Sequence, residues 1–397
     1  ELVGREHEFH PGRDYLNPNF EGASAAEDRA SISRWIAEAG ATCETLTHFI
    51  PCHIGLESSR TVAVGPVTIK RTKETLEHLA GAFERHKAAN EGNGERPAWP
   101  GTQQSREYLE AFSEVAEVTV PMCDPRTSKK VAQEAVHAAL GFIHLMAGAS
   151  ATRKMRGGGP ALRGDRRASV AITESGELRL STSSSWEGAF VDDDFWNWLD
   201  TEPQASLRRS AGLVVEMILS RNPLPMMASR YLDATRWYAD AVREPTPSAA
   251  VVKYLVAMER LLWTGERYGT TRLLSERAAA LSFSIDPWDF EDVIAAVKEA
   301  YGLRSGIVHG RIADGDPEIS RSFRTCETVS RELLQTFLMR YGPDFHRETT
   351  INKLQAHLDG FVKEVWDQTR ARAKFQPAPT PLPCDTQSVT HGPSQGR

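Results

Sequence analysis

Three features of the sequence predict an α+β protein, with a mixed α/β amino-terminal region followed by an all-α helical bundle. Strand-like, β-branched runs are confined to the first half, helix-period segments succeed one another from about Asp194 to Arg372, and prolines punctuate that succession at 223–225, 245–247, 287 and 317. Five segments follow: a loop-rich stretch at 1–30, an α+β domain at 31–225, a helical bundle at 226–345, a carboxy-terminal helix at 346–374, and a proline-rich tail at 375–397 expected to be disordered.

In chain order, a helix is expected at 30–39 and strand-like runs at 43–54 and 61–70. Val62, Val64, Val67 and Ile69 supply the β-branched residues of the second run, and Gly65-Pro66 interrupts it. Helices are expected at 72–90 and 128–147. A glycine- and arginine-rich loop at 153–167 then leads into a hairpin of 168–173 and 177–182. Asp192, Asp193 and Asp194 precede the next helix, where acids complement the dipole; a carboxylate metal site is the alternative reading.

Composition bounds the function. The chain has 397 residues, 40% hydrophobic and 25% charged, ordinary globular usage with room for two or three cores. A net charge of −6 is not that of a protein that coats duplex nucleic acid, so any RNA contact must come from a local patch. Five scattered cysteines make no disulfide framework and suit a reducing cytoplasm, and no apolar run approaches a membrane span. The chain opens on Glu1 rather than methionine, as a trimmed or partial sequence would.

The most informative segment is 290–310, read as one helix with apolar residues at Phe290, Val293, Ile294, Val297, Tyr301 and Val308. Arg304 falls inside that stripe. A second face carries Gly302, Ser305, Gly306, His309 and Gly310, a bare strip bearing one hydroxyl and one imidazole. Each interior glycine costs a helix roughly 1 kcal/mol relative to alanine, so something is expected to approach this backbone closely. RNA carries its own nucleophile, the 2′-hydroxyl, and its cleavage needs a base, a cation on the phosphate and help for the leaving 5′-oxygen. Histidine and arginine can supply all three. Spacing alone is not diagnostic, since Arg5 and His10 share it without supporting context. Five helical residues turn about 500°, leaving Arg304 and His309 about 140° apart and about 7.5 Å apart along the axis. One helix therefore assembles the pair poorly, whereas two copies about a two-fold axis can share one cleft.

Two further charges fall on apolar helix faces. Glu259 shares a face with Val252, Leu255 and Leu262, and Arg277 lies between Leu273 and Leu281. Inward charges are rarely left unpaired, so Glu259 is expected to pair with Arg277 or Arg304.

These segments together carry a resemblance. The region 228–341 resembles an Apea-like HEPN domain: Ala257-Met258-Glu259-Arg260-Leu261-Leu262 is similar to its first helix pattern and Glu276-Arg277-Ala278-Ala279-Ala280-Leu281 to its second. Tyr301-Gly302-Leu303-Arg304-Ser305-Gly306-Ile307-Val308-His309-Gly310 is similar to its signature. The resemblance implies a HEPN-type helical bundle, a homodimer and, as in many members, a metal-independent endoribonuclease without cofactor, often tied to phage defence or toxin systems. By position, Arg304 and His309 would be the catalytic pair and Ser305 the polar residue after the arginine; Glu259 and Arg277, from their inward placement, are read as supporting residues, with a structural salt bridge as the alternative. Ser305 departs from the asparagine, aspartate or histidine of many active relatives. His309 would serve as base or acid, because an ordinary imidazole titrates close to neutral pH, and Arg304 would hold the phosphate.

Other constellations carry weaker signals. Arg153, Lys154, Arg156, Arg163, Arg166 and Arg167, opposed only by Asp165, form a candidate RNA-tracking loop, with solvated linker as the alternative. Gly157-Gly158-Gly159 lacks the ending of a phosphate loop. Cys43, His48, Cys52 and His53 are metal-type residues at a spacing that matches no familiar zinc motif, so no metal is assigned. Trp186, Phe190, Phe195, Trp196 and Trp198 read as core packing or as base-stacking rings. Two other function classes stay open: a non-catalytic RNA- or nucleotide-binding dimerisation module, and an activity housed in 31–225 with the bundle as scaffold.

Overall fold

The computed structural model describes residues 40, 42–55, 60–91, 101–158, 165–172, 178–185, 191–266, 268–282 and 290–375. The stretch 1–30, the helix expected at 30–39 and the tail from 376 onward lie outside the described residues, as do Arg163, Trp186 and Phe190. Strands precede a succession of helices, an α+β layout.

The strands form where β-branched residues alternate. β1 (Glu44–His53), β2 (Val62–Val64) and β3 (Val67–Arg71) correspond to the two expected runs. Gly65 stands at φ +56° in the two-residue connection that pairs Val64 with Val67, a backbone conformation cheap only for glycine. After helices α1 (Thr72–Glu91) and α2 (Gly101–Glu110) comes β4 (Glu114–Cys123), which pairs antiparallel with both β1 and β3. Neither α2 nor β4 is foreseen in the sequence. The reason lies in Glu114 and Pro121, an acid and a strand breaker that bound the short alternating run of Ala116, Val118 and Val120. Glu114 is fully buried, and its carboxylate accepts from the Ile54 and Gly55 amides at 2.8 and 3.2 Å, from the Ser113 hydroxyl, and faces Arg71 at 3.6 Å.

Helices α3 (Pro125–Ala147) and α4 (Ala149–Thr152) lead to β5 (Arg156–Gly157), which closes a five-stranded antiparallel sheet in the order β2-β3-β4-β1-β5. The stretch 153–167 is thus not a plain loop, a correction with a local cause: Arg156 and Gly157 pair with His53 and Cys52 of β1, and the missing Cβ at Gly157 leaves room for Leu140 Cδ1, 2.9 Å from where it would stand. Strands β6 (Asp165–Ile172) and β7 (Leu178–Ser185) form a separate antiparallel pair, which runs beyond the expected hairpin at its open end, to Asp165 and Ser185, and stops at Ile172 and Leu178 at the other.

The helical part comprises α5 (Asp193–Leu199), α6 (Gln204–Ser220), α7 (Met226–Val242), α8 (Pro247–Leu262), α9 (Thr270–Ser282), α10 (Phe290–Val308), α11 (Pro317–Tyr341), a short 3-10 turn (Gly342–Asp344) and α12 (Ile351–Phe375). Prolines mark starts: Pro247 and Pro317 occupy first-turn positions, where a missing amide hydrogen is harmless. Helices α8, α10 and α11 pack on one another, and their apolar stripes, with Tyr254, Leu255, Val293, Val297, Val329, Leu333 and Phe337, are buried. Each such side chain contributes about 1.5–3 kcal/mol by leaving water. By packing, the described residues fall into two compact units, one within Glu1–Leu140, Arg156–Glu187 and Val215–Asn222 and one within Gly141–Met155, Gly188–Val214 and Pro223–Arg397. No helix among the described residues is long and apolar enough to cross a membrane.

Candidate active site

The end of α10 is built by its glycines. Gly310 stands at φ +68°; its amide donates to the Ile307 carbonyl at 3.0 Å and the Arg311 amide to the Gly306 carbonyl at 2.8 Å, the paired bonds of a Schellman cap. The reversal lays Ile312 on Gly306, where a Cβ would clash with Ile312 Cδ1 and Cγ1. The close approach expected on the bare strip therefore comes, at Gly306, from the chain itself. At Gly302 nothing lies within 4 Å of a Cβ position, and the residue is exposed.

Ser305 and His309, four residues apart and on one helix face, are both exposed. Among the described residues no side chain hydrogen-bonds the His309 imidazole, while Arg311 Nη2 donates to Ser305 Oγ at 3.3 Å. Val308, expected in the apolar stripe, is instead 62% exposed and is the last residue of α10.

Arg304 leaves the helix on a different side and reaches α8. Its Nη1 lies 3.1 Å from Glu259 Oε1, the alternative of the two expected pairings that the fold realises. The same oxygen accepts from the Tyr301 hydroxyl at 3.1 Å, and Arg304 Cζ stands 6.0 Å from the centroid of the Tyr301 ring. Burial, reinforced by the Glu259 charge, pushes the Tyr301 phenol well above its ordinary range, so it acts here as a donor. Arg304 remains about one-third exposed and Glu259 one-quarter.

Arg277 belongs elsewhere. Its side chain is only 1% exposed. It donates to Asp359 Oδ1 on α12 through Nε and Nη2 at 3.2 and 2.8 Å, to the Leu262 carbonyl at 2.9 Å, to Thr264 Oγ1 at 3.1 Å and to Glu266 Oε1 at 2.7 Å. It ties the segment after α8 to α9 and α12. Burial alone would raise Glu266, but the hydrogen bonds from Thr264 and Arg277 outweigh it and hold this carboxyl down at about 2.

The remaining candidates separate. Arg153 is exposed and lies 5.8 Å from the centroid of the Phe323 ring, Lys154 is half-buried, and Arg156 sits in β5; Arg166 and Arg167 lie in β6. Cys52 is buried, its thiol pushed up by burial and then by the Glu114 charge. His48 Nε2 and Ser128 Oγ are 2.6 Å apart, and His53 Nδ1 and Ser113 Oγ 3.3 Å. No group of three or more metal-ligating side chains occurs among the described residues. Asp192 caps α5 by accepting from the Phe195 amide at 3.0 Å. Trp196 is buried, and Phe195 lies 5.0 Å from it and 5.7 Å from the exposed Trp198, centroid to centroid. Glu266, Asp359 and Arg311 are missed by sequence reasoning, as is the hydrogen-bonding role of Tyr301, read there only as an apolar residue. Only Arg311 leaves a signal, as the residue after a helix-ending glycine.

Comparison of the chain with models of protein families, with curated proteins and with solved structures gives no match. The chemistry of the site rests on its own residues.

Proposed function

We propose that the chain is a cytoplasmic, metal-independent endoribonuclease of the Apea-like HEPN type, acting as a homodimer. One observation carries the reading: Ser305 and His309 share an exposed helix face that is open at Gly302, with the Arg304 guanidinium part-exposed on the adjoining side. The imidazole removes the 2′-hydroxyl proton and the 2′-oxygen bonds to phosphorus. The bond from phosphorus to the 5′-oxygen breaks, and that oxygen leaves with a proton from an imidazolium. Guanidinium stabilises the charge that builds on the phosphate oxygens. Nothing is oxidised or reduced, and the products are a 2′,3′-cyclic phosphate and a 5′-hydroxyl.

The test measures cleavage of labelled single-stranded RNA in EDTA. Wild type should cut and His309→Ala should lose on the order of 100-fold or more, as removal of a general acid or base does. Cleavage that requires magnesium, or that survives in His309→Ala, contradicts the reading. The engagement of Arg304 by Glu259 favours a second reading, a non-catalytic RNA-binding module. In that case His309→Ala binds like wild type and neither protein cuts.

A further inference from the structure

We infer that Arg311 supplies a cation that meets the scissile phosphate beside His309. The inference rests on the nuclease reading for the identity of that phosphate. Arg304 spends its charge on Glu259 at 3.1 Å, on a different side of α10 from His309. Arg311 is placed differently. The Schellman reversal at Gly310 turns the chain back over the last helical turn, and Arg311 Nη2 comes to rest 3.3 Å from Ser305 Oγ. Ser305 stands one turn before His309 on the same face, so guanidinium, hydroxyl and imidazole line one exposed surface.

Among the described residues no carboxylate lies within ion-pair distance of Arg311, and the residue is exposed. Its donation leaves the Ser305 hydroxyl hydrogen free to point outward. A fork of guanidinium hydrogens with no acidic partner, next to a hydroxyl and an imidazole, matches the non-bridging oxygens of a phosphodiester. Glycine at 310 is then a positioning residue: it provides the left-handed turn that delivers this cation.

The test uses the full chain and two readouts. Binding of a short fluorescein-labelled single-stranded RNA with 2′-O-methyl riboses, which lacks the nucleophile, is followed by anisotropy across a salt series. Cleavage of the matching all-ribose RNA is followed in EDTA. Arg311→Gln should flatten the slope of log affinity against log salt by about 0.7 for each phosphate no longer neutralised and slow cleavage on the order of 100-fold. Arg311→Lys should keep the slope and recover part of the rate, since a point charge lacks the fork. Arg347→Gln, an exposed charge removed elsewhere, should change neither. The backbone bonds of the cap survive all these substitutions, so melting temperatures should agree.

Wild-type cleavage with an unchanged slope and rate in Arg311→Gln overturns the Arg311 assignment and leaves the nuclease reading standing. A flattened slope in Arg311→Gln when wild type never cuts RNA keeps the phosphate-binding role of Arg311 and overturns the nuclease reading. Absence of any RNA binding by wild type overturns both.

Discussion

Arg304 and Glu259 form a single cross-helix ion pair, Nη1 to Oε1 at 3.1 Å, whose carboxylate oxygen also accepts from the Tyr301 hydroxyl. Tyr301 and Arg304 are three apart on α10, and Glu259 stands on α8, so two donors from one helix converge on one acceptor of another. The arrangement holds a long, flexible side chain against α8 while about a third of it stays exposed.

Both members are part-exposed, which limits the worth of the pair. A double-mutant cycle of Glu259→Gln and Arg304→Gln, read by urea unfolding, should give a coupling of about 1 kcal/mol. A coupling near zero means that the pair adds nothing to stability.

Arg277 is a different case because it is buried and makes five hydrogen bonds. Arg277→Ala should cost about 3–5 kcal/mol, since it removes a buried cation together with its five hydrogen bonds and leaves the Leu262 carbonyl without its donor. Its partner gives a pH signature. Glu266 has a folded-state pKa of about 2 against 4.5 ordinarily, so the unfolded chain binds the proton first as pH falls. Its contribution is complete above about 4.5 and is lost as pH falls towards about 2. Glu266→Gln should flatten the fall in stability across that window, measured by denaturant midpoints; an unaltered slope contradicts the assignment.

The two interior glycines of α10 should respond oppositely to alanine. Gly302 faces open space, so Gly302→Ala should raise stability by about 0.5–1 kcal/mol through helix propensity. Gly306 has Ile312 in the place a Cβ would take, so Gly306→Ala should lower it by about 1–3 kcal/mol. Thermal melting of the two variants decides the matter. Equal effects mean that the cap at Gly310 is not formed as described.

These cases show where the sequence is readable. The helical stripe of α10 up to Tyr301, the interruption at Gly65-Pro66 and the proline breaks between helices are local signals, and the fold follows them. β4 is hidden because the buried Glu114 reads as a surface acid, and only its tertiary partners, Arg71, Ser113 and two backbone amides, make it tolerable in a central strand. At the site, the inward charge of Arg304 foretells a partner, and the structure supplies Glu259. The role of Arg277 cannot be read from its helix, because Asp359 lies 82 positions away and Glu266 in an irregular segment. Arg311 escapes notice since a cap is recognised by its glycine, whereas the direction of the residue that follows depends on backbone geometry.

The most direct measurement incubates purified wild type and His309→Ala with total RNA in EDTA and determines the chemistry of the fragment ends. Wild type should leave 2′,3′-cyclic phosphate, or its hydrolysis product, opposite 5′-hydroxyl ends, and His309→Ala should leave the RNA intact. Fragments bearing 5′-phosphates, or identical fragmentation by both proteins, would contradict a nuclease built on this imidazole.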